Sequence, residues 1–562
     1  MERREFVKKM PILGALPFML NGVPFRVMGD PMDLLALAAN CDNDRVLVLI
    51  QLHGGNDGVN TVIPVADYDR YYNARPNVAI PDSGSRKMIL LDSTLPVNRQ
   101  VGLHPDMTGM KNLYDQGKLA IVQGVSYENH NGSHFRGRDV MFMGGGANDY
   151  ISSGWVGRYL MDYYAPKSYP DDFPNTSMPD PLALEFGNEV SLVFHQGDNV
   201  PTSISIYNPN QFFNLVDGLV GFGEIEGIDP RGIPPEAMNG TAYKKEMDYI
   251  LGLEKKTEEY HTQILSRYNA GKANSPNVVY PTTYPLNAPA RVRNNPLSAQ
   301  LQIIANLISG GSKTKIYLVK IGGFDTHVSQ VETFNSTMGN HAALLYHISS
   351  AMNSFQQDLK ARGIEDKVLS VTTSEFGRRV YSNGSFGTDH GHAAPIFVFG
   401  SMVEPGITGE NPDMNKENVE MQYDYRQVYS TILKKWFCVD ENKADELMVG
   451  DYEGKGQVLP LINNRELSLS KHFKNKLNAF VSIEPNPAQN FTDMVFRVNA
   501  VGTATITLFN NSGSVVHGFP ILVETVFGEN KVRLELKDIK SGLYMCQIKC
   551  GQLNESRKLV IQ

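Results

Sequence analysis

Arg45–Leu52 (RVLVLIQL) is a continuous apolar run that closes on His53-Gly54-Gly55-Asn56-Asp57-Gly58. An unbroken run of this length, without alternation, is the pattern of a strand buried on both faces, and parallel strands in layered α/β sheets are of that kind. The same grammar recurs at Lys118–Val125 (KLAIVQGV), Lys315–Ile321 (KIYLVKI), Lys367–Thr373 (KVLSVTT) and Pro395–Gly400 (PIFVFG). Helical periodicity lies between them, at Leu297–Ile308 and at His341–Arg362, where Leu344, Leu345, Ile348, Met352, Phe355 and Leu359 share one face. Alternation of strand and helix predicts an α/β sheet covered on both faces. Residues 163–296, rich in Pro, Asn and Tyr, read as an insertion or cap with helical patches near 242–268.

The chain has 562 residues, enough for two or three domains. Its 81 Gly and Pro residues, 41% hydrophobic and 20% charged residues are ordinary globular usage, which excludes a disordered or collagen-like chain. A net charge of −8 and no long basic run argue against a nucleic-acid partner. Cys41, Cys438, Cys546 and Cys550 lack zinc-finger spacing; two disulfides, Cys41 with Cys438 and Cys546 with Cys550, or isolated thiols are both open. No stretch reaches the ~18 apolar residues of a membrane span.

Ligands of open α/β sheets collect at the carboxyl ends of the strands. Asp57 follows the first run, Asp325 and His327 follow the third in GGFDTH, Glu375 follows the fourth in SEFGRR, and Asp389, His390 and His392 (GTDHGH) precede the fifth. So many carboxylates on one edge would repel one another unless a cation neutralised them, and Asp, Glu and His together suit a divalent metal. One or two ions of zinc, manganese, iron or calcium are expected. Asn56 and Asn60 would orient substrate or simply serve a tight turn. Of Arg378 and Arg379, one would clamp an anionic group, here assigned to Arg378.

The order of these motifs resembles the alkaline phosphatase superfamily, which includes sulfatases. The segments LHGGNDGVNTVIP, KLAIVQGVSYENHNGSHFRGRDVM, GGFDTH, SEFGRR and GTDHGHAAPIFVFG, over roughly residues 45–460, are similar to the DUF1501 family within it. The resemblance implies an alkaline-phosphatase-like mixed sheet. It implies Asp57 as the first-strand metal ligand, Asp325 with His327 as a ligand pair, Glu375 as an acidic ligand and His390 or His392 as the last imidazole. Phe376 stands where that superfamily has a His, and Asp389 would compensate. The nucleophile position falls near Ser133, whose alternative use is the N-cap of the following helix. His134 would be a ligand or general acid, or would only satisfy backbone groups beside the N-cap, and Arg136 or Arg138 would hold a tetrahedral anion. No CxPxR segment is present, which disfavours the formylglycine type of sulfatase chemistry.

Both ends carry addressing signals. Arg3-Arg4-Glu5-Phe6-Val7-Lys8-Lys9 and the apolar Pro11–Leu20 resemble a twin-arginine export signal within residues 1–39. From about Pro485, short alternating stretches separated by Asn510-Asn511, Ser512-Gly513 and Ser541-Gly542 predict a small antiparallel β-sandwich. Its ending, SGLYMCQIKCGQLNESRKLVIQ, resembles the immunoglobulin-like sorting domain of the type IX secretion system of Bacteroidota. The expected layout is an α/β domain over 40–463, a linker over 464–484 and the sandwich over 485–562.

These readings converge on an exported, surface-held or extracellular metal-dependent hydrolase of phosphate or sulfate esters. It would act on an anionic ester or glycan and pass through outer-membrane secretion machinery. The alternative is a non-catalytic cell-surface binding protein on the same scaffold.

Overall fold

The computed structural model describes residues 18–20, 23–25, 44–188, 190–197, 200–206, 240–241, 259–463, 479–498, 502–525, 528–550 and 553–562. The expected twin-arginine stretch at residues 3–9, Cys41, most of residues 1–39 and residues 242–258 lie outside them. The chain divides into two compact units, one of residues 41–463 and one that contains residues 464–562.

The first unit is built on a large mixed sheet. In spatial order its strands are Gly406–Thr408, Leu119–Ser126, Ala394–Phe399, Val368–Thr373, Val46–His53, Ile316–Gly322, Ala183–Phe186 and Ser203–Ile206, with Tyr423–Asp424 also paired to Leu119–Ser126. Val46–His53 lies inside the sheet, with Leu49 in register with Leu318 on one side and Val371 on the other. Its residues feed two cores in turn: Val46, Val48, Ile50 and Leu52 enter one, Leu47 and Leu49 the other. That is why the run shows no polar alternation, since both faces are buried.

Helices Pro296–Ser309 and Asn340–Ala361 contribute to the first core, and Leu344, Leu345, Ile348, Met352, Phe355 and Leu359 are all buried there. Helices His134–Met143 and Trp155–Tyr164 serve the second. The sheet is therefore covered on both faces, as the alternation of elements predicts.

Two features differ from the sequence reading. Within the region read as an insertion, Ala183–Phe186 pairs in parallel with Ile316–Gly322 and Ser203–Ile206 pairs in parallel with Ala183–Phe186, so both extend the central sheet. Ala394–Phe399 runs antiparallel to both neighbours. A loop preceding an antiparallel strand lies at the same edge as loops following parallel ones, so this reversal brings residues 388–392 to the edge where Asp325 and Glu375 emerge.

The C-terminal residues form two antiparallel sheets. One orders Ala479–Glu484, Phe491–Val498 and Gly528–Glu535; the other orders Ile521–Thr525, Gly502–Phe509, Gly542–Cys550 and Leu553–Ile561. Both contribute to one apolar core that includes Phe480, Met494, Phe496, Ile506, Leu508, Ile548 and Leu559. Ala479–Glu484 belongs to the first sheet, so the β unit begins ahead of Pro485. Cys546 and Cys550 carry free thiols. They lie four residues apart on a single strand, about 13 Å at ~3.3 Å per residue, far beyond the reach of a disulfide.

Leu49 is 2% exposed at the centre of the sheet. Leu49→Ala is expected to lower the unfolding free energy of the α/β unit by about 2–5 kcal/mol. Both tryptophans, Trp155 and Trp436, are buried in this unit, so tryptophan fluorescence during urea unfolding reads its transition.

Candidate metal centre

Three loops and one helix end meet at the strand edge. Asp325 follows strand Ile316–Gly322, Glu375 follows Val368–Thr373, His390 closes the short strand Thr388–His390, and His134 opens helix His134–Met143. One ligand atom each from His134, Asp325 and His390 lies within 4.8 Å of the other two. His134 Nε2 stands 3.6 Å from Asp325 Oδ2, and His390 Nε2 stands 3.8 Å from Asp325 Oδ1.

The opposite ring nitrogens are pinned. His390 Nδ1 donates to the Gly132 carbonyl at 2.8 Å, which leaves the lone pair on Nε2. His134 Nδ1 donates at 2.9 Å to Glu375 Oε1, a buried carboxylate oxygen that also accepts the Gly54 N–H at 2.7 Å. Both Nε2 atoms are buried and have no hydrogen-bond partner among the described residues. Two orphaned imidazole lone pairs aimed at one carboxylate, with the far nitrogens held by a carboxylate and a carbonyl, is how proteins orient metal ligands. The donor set fits a divalent cation. Phe376 backs it, its ring centroid 4.7 Å from that of His134 and 4.6 Å from that of His390.

Asp325 is held as an anion. Partial burial pushes its carboxyl up, but the hydrogen bond and charge of Arg378, with His327 beside it, bring it down to about 2. Arg378 Nη2 donates to Asp325 Oδ1 at 2.8 Å and His327 Nδ1 lies 2.5 Å from the same oxygen, so Oδ2 is the oxygen left facing His134. Gly54 permits the close packing beneath: its φ is +122°, and a Cβ there would sit 2.2 Å from the Asp325 backbone nitrogen.

Other residues marked by the sequence take different places. Asp57, expected as a ligand, is fully buried; Arg75 Nη1 donates to its two oxygens at 3.0 and 2.8 Å, and Gln330 Nε2 donates to Oδ2 at 2.6 Å. Burial alone would raise its pKa, and Arg75 foremost among its neighbours brings it below the ordinary value. It is an internal ion-pair anchor. Asn56 and Asn60, expected at a substrate, are buried as well. Asn56 Oδ1 accepts from Thr61 and His341, and Asn60 bonds Val78, Tyr71 and Arg75.

Glu375 reaches the centre through His134, as described. His327 flanks Asp325. Asp389 Oδ1 accepts from Asn383 at 2.9 Å, and His392 is exposed with its ring 5.4 Å from that of His130. Ser133 is half-buried and is the N-cap, its Oγ accepting the Arg136 N–H at 3.3 Å. The Arg136 guanidinium donates to the carbonyls of Ala147 and Asp149 and stacks on Tyr150. Arg378, expected to clamp substrate, has no exposed surface; besides Asp325 it donates to the carbonyls of Gly54, Gly55, Phe324 and Thr388.

Sequence reasoning passed over His130, Arg75 and Gln330. His130 Nε2 is buried without a hydrogen-bond partner among the described residues, and burial, then His392 and His390, push its pKa down to about 4. Its one signal was the i,i+4 spacing to His134, across an Asn-Gly turn that hides any helical face.

Residues 282–448 match the family described as "Protein of unknown function (DUF1501)", and residues 482–562 match the "Secretion system C-terminal sorting domain". The chain carries a C-terminal sorting domain. That domain marks it for export to the cell surface or extracellular space. Among the described residues no helix is long and apolar enough to cross a membrane. No curated protein matches the chain. Solved structures similar to it include an alkaline phosphatase superfamily protein from Vibrio parahaemolyticus, 10% identical, covering 95% of this chain and 92% of that one, with a TM-score of 0.31. Another is the PsFucS1 sulfatase from Pseudoalteromonas sp., 10% identical, covering 90% and 88%, TM-score 0.32. A third is the phosphonate monoester hydrolase of Agrobacterium radiobacter, 12% identical, covering 88% and 89%, TM-score 0.25.

His130, His341 and His390 are each pushed down to about 4, in every case chiefly by burial. They are neutral in the fold, whereas the unfolded chain takes up protons below about 6.5. Stability is therefore expected to fall as pH drops from about 6.5 toward 4, and thermal melting across that range should show it. His341→Gln, which keeps a donor toward Asn56, should flatten the slope by about one proton's worth.

Proposed function

We propose that the protein is an exported metal-dependent hydrolase of phosphate or sulfate esters, centred on His134, Asp325 and His390. The observation that carries this reading is the pair of buried, partnerless Nε2 atoms facing Asp325. Two imidazoles and one carboxylate suit zinc, manganese or iron better than calcium, which takes oxygen ligands. A divalent cation bound there supplies Lewis acidity toward an ester oxygen.

The chain's own groups divide the remaining work. Asp325 Oδ2 and the two Nε2 atoms are the binding atoms. Glu375 and the Gly132 carbonyl fix the imidazole tautomers. Ser133 is the nucleophile candidate nearest the centre in sequence, at the N-terminus of the helix that His134 opens, where backbone N–H groups favour an anion. Arg378 fixes Asp325 and leaves no guanidinium edge for substrate.

A second reading, a surface protein that binds a cation or glycan without turnover, is favoured by one observation: the guanidinia of Arg136 and Arg378 are committed to backbone carbonyls. Elemental analysis of the full chain and assays on aryl phosphates, phosphodiesters and sulfates separate the two. The hydrolase reading expects bound metal and metal-dependent turnover on one ester class. Asp325→Ala and His390→Ala should each abolish metal retention and cut turnover a hundredfold or more, on the order of what metal-site lesions cost. Unchanged turnover in both variants sinks the hydrolase reading, and bound metal with no turnover on any ester selects the second. Glu375→Gln, which alters the acceptor on His134 Nδ1, is expected to weaken metal affinity about 10–100-fold by dialysis against a chelator.

A further inference from the structure

Asp325 and His390 belong to different loops, so their 3.8 Å approach depends on whatever holds those loops together. Gln330 lies beneath both and has no exposed surface. Its Nε2 donates to Asp57 Oδ2 at 2.6 Å, while its Oε1 accepts from Thr326 Oγ1 at 2.9 Å and from Thr388 Oγ1 at 2.7 Å. Thr326 is the residue after Asp325, and Thr388 lies two before His390; both hydroxyls are buried.

The orientation of the amide is forced. An ionised carboxylate only accepts, so the NH₂ must face Asp57 and the oxygen must face the two hydroxyls. Asp57 cannot turn away, because Arg75 holds both its oxygens. Arg75 in turn donates to the carbonyls of Val380 and Arg379, on the strand that pairs with Thr388–His390.

We infer that Gln330 is a positioning residue, which transmits the fixed location of the buried Asp57–Arg75 pair to the Asp325 and His390 loops and thereby sets the spacing of the metal-binding groups. This rests on the reading of His134, Asp325 and His390 as metal-binding. It also gives Asp57 a role at the centre without making it a ligand.

The test exchanges the polarity of the Asp57–Gln330 bond. Gln330→Glu removes the donor and sets a second carboxylate against Asp57. Asp57→Asn leaves Arg75 without its anion. The double variant, Asp57→Asn with Gln330→Glu, restores a hydrogen bond in the opposite sense and keeps the net charge, and the new carboxylate still accepts from Thr326 and Thr388. The full chain is stripped with a chelator and titrated with cobalt(II), whose visible absorption reports coordination, and melting temperatures are recorded alongside.

Gln330→Glu is expected to weaken cobalt affinity about tenfold or more and change the absorption spectrum, with the double variant returning to within about threefold of the unmodified protein. Unmodified affinity and spectrum in Gln330→Glu, whatever its melting temperature, overturn the inference. Should that single variant fail to fold, Thr326→Val with Thr388→Val decides, because it cuts both loops' bonds to Gln330 Oε1 and leaves Asp57 and Arg75 paired: weakened cobalt binding supports the coupling and unmodified binding refutes it. An unmodified protein that binds no cobalt overturns the metal reading and this inference with it, whereas tight binding by every variant overturns this inference alone.

Discussion

A carboxylate and a guanidinium with no exposed surface, Asp57 and Arg75, face each other 2.8 Å apart beneath the strand edge. Burying either alone would cost several kcal/mol, so each fixes the other, and the groups bonded to them inherit that fixity. Arg75 reaches the carbonyls of Arg379 and Val380, and Asp57 reaches Gln330. A second buried guanidinium, Arg378, ties the carbonyls of Gly54, Gly55, Phe324 and Thr388 to the Asp325 carboxylate. The segments that carry Asp325 and His390 are thus held by charge satisfaction as well as by the pairing of Thr388–His390 with Arg378–Ser382.

Above that layer the centre combines rigidity with access. The two imidazoles are pinned at Nδ1 and backed by Phe376, while the Asp325 side chain is 52% exposed and opens the cluster to solvent. Pinned bases beside an open carboxylate allow a small cation and one anionic group to enter without rearrangement of the shell. The reversed strand Ala394–Phe399 is what makes this possible. A parallel strand in its place would have carried residues 388–392 to the far edge of the sheet.

The C-terminal unit obeys a different logic. Its described strands enclose one apolar core between two antiparallel sheets, and its match to a secretion sorting domain gives it an addressing role apart from the α/β unit. Alternation of inward and outward residues is visible in its sequence because each sheet buries only one face.

The sequence by itself determined the buried strands, the long helix with its apolar face, the all-β C-terminus and the edge at which polar groups gather. Each of these follows from periodicity, which is a local property of the chain. Asp325 and His390 were among the residues singled out, as were Asp57 and Glu375, because an acidic or imidazole group at a strand end looks the same whatever it will meet; His134 was reached only from its place beside Ser133 at a helix start. Tertiary structure alone decided their separate uses. Arg75 arrives from a helix end eighteen residues on and takes Asp57 inward; Arg378 holds Asp325 at the surface of the cluster; His134 interposes itself between Glu375 and the centre. The fate of a carboxylate is set by which donor reaches it first in space, and that distance is not written in the spacing of the chain.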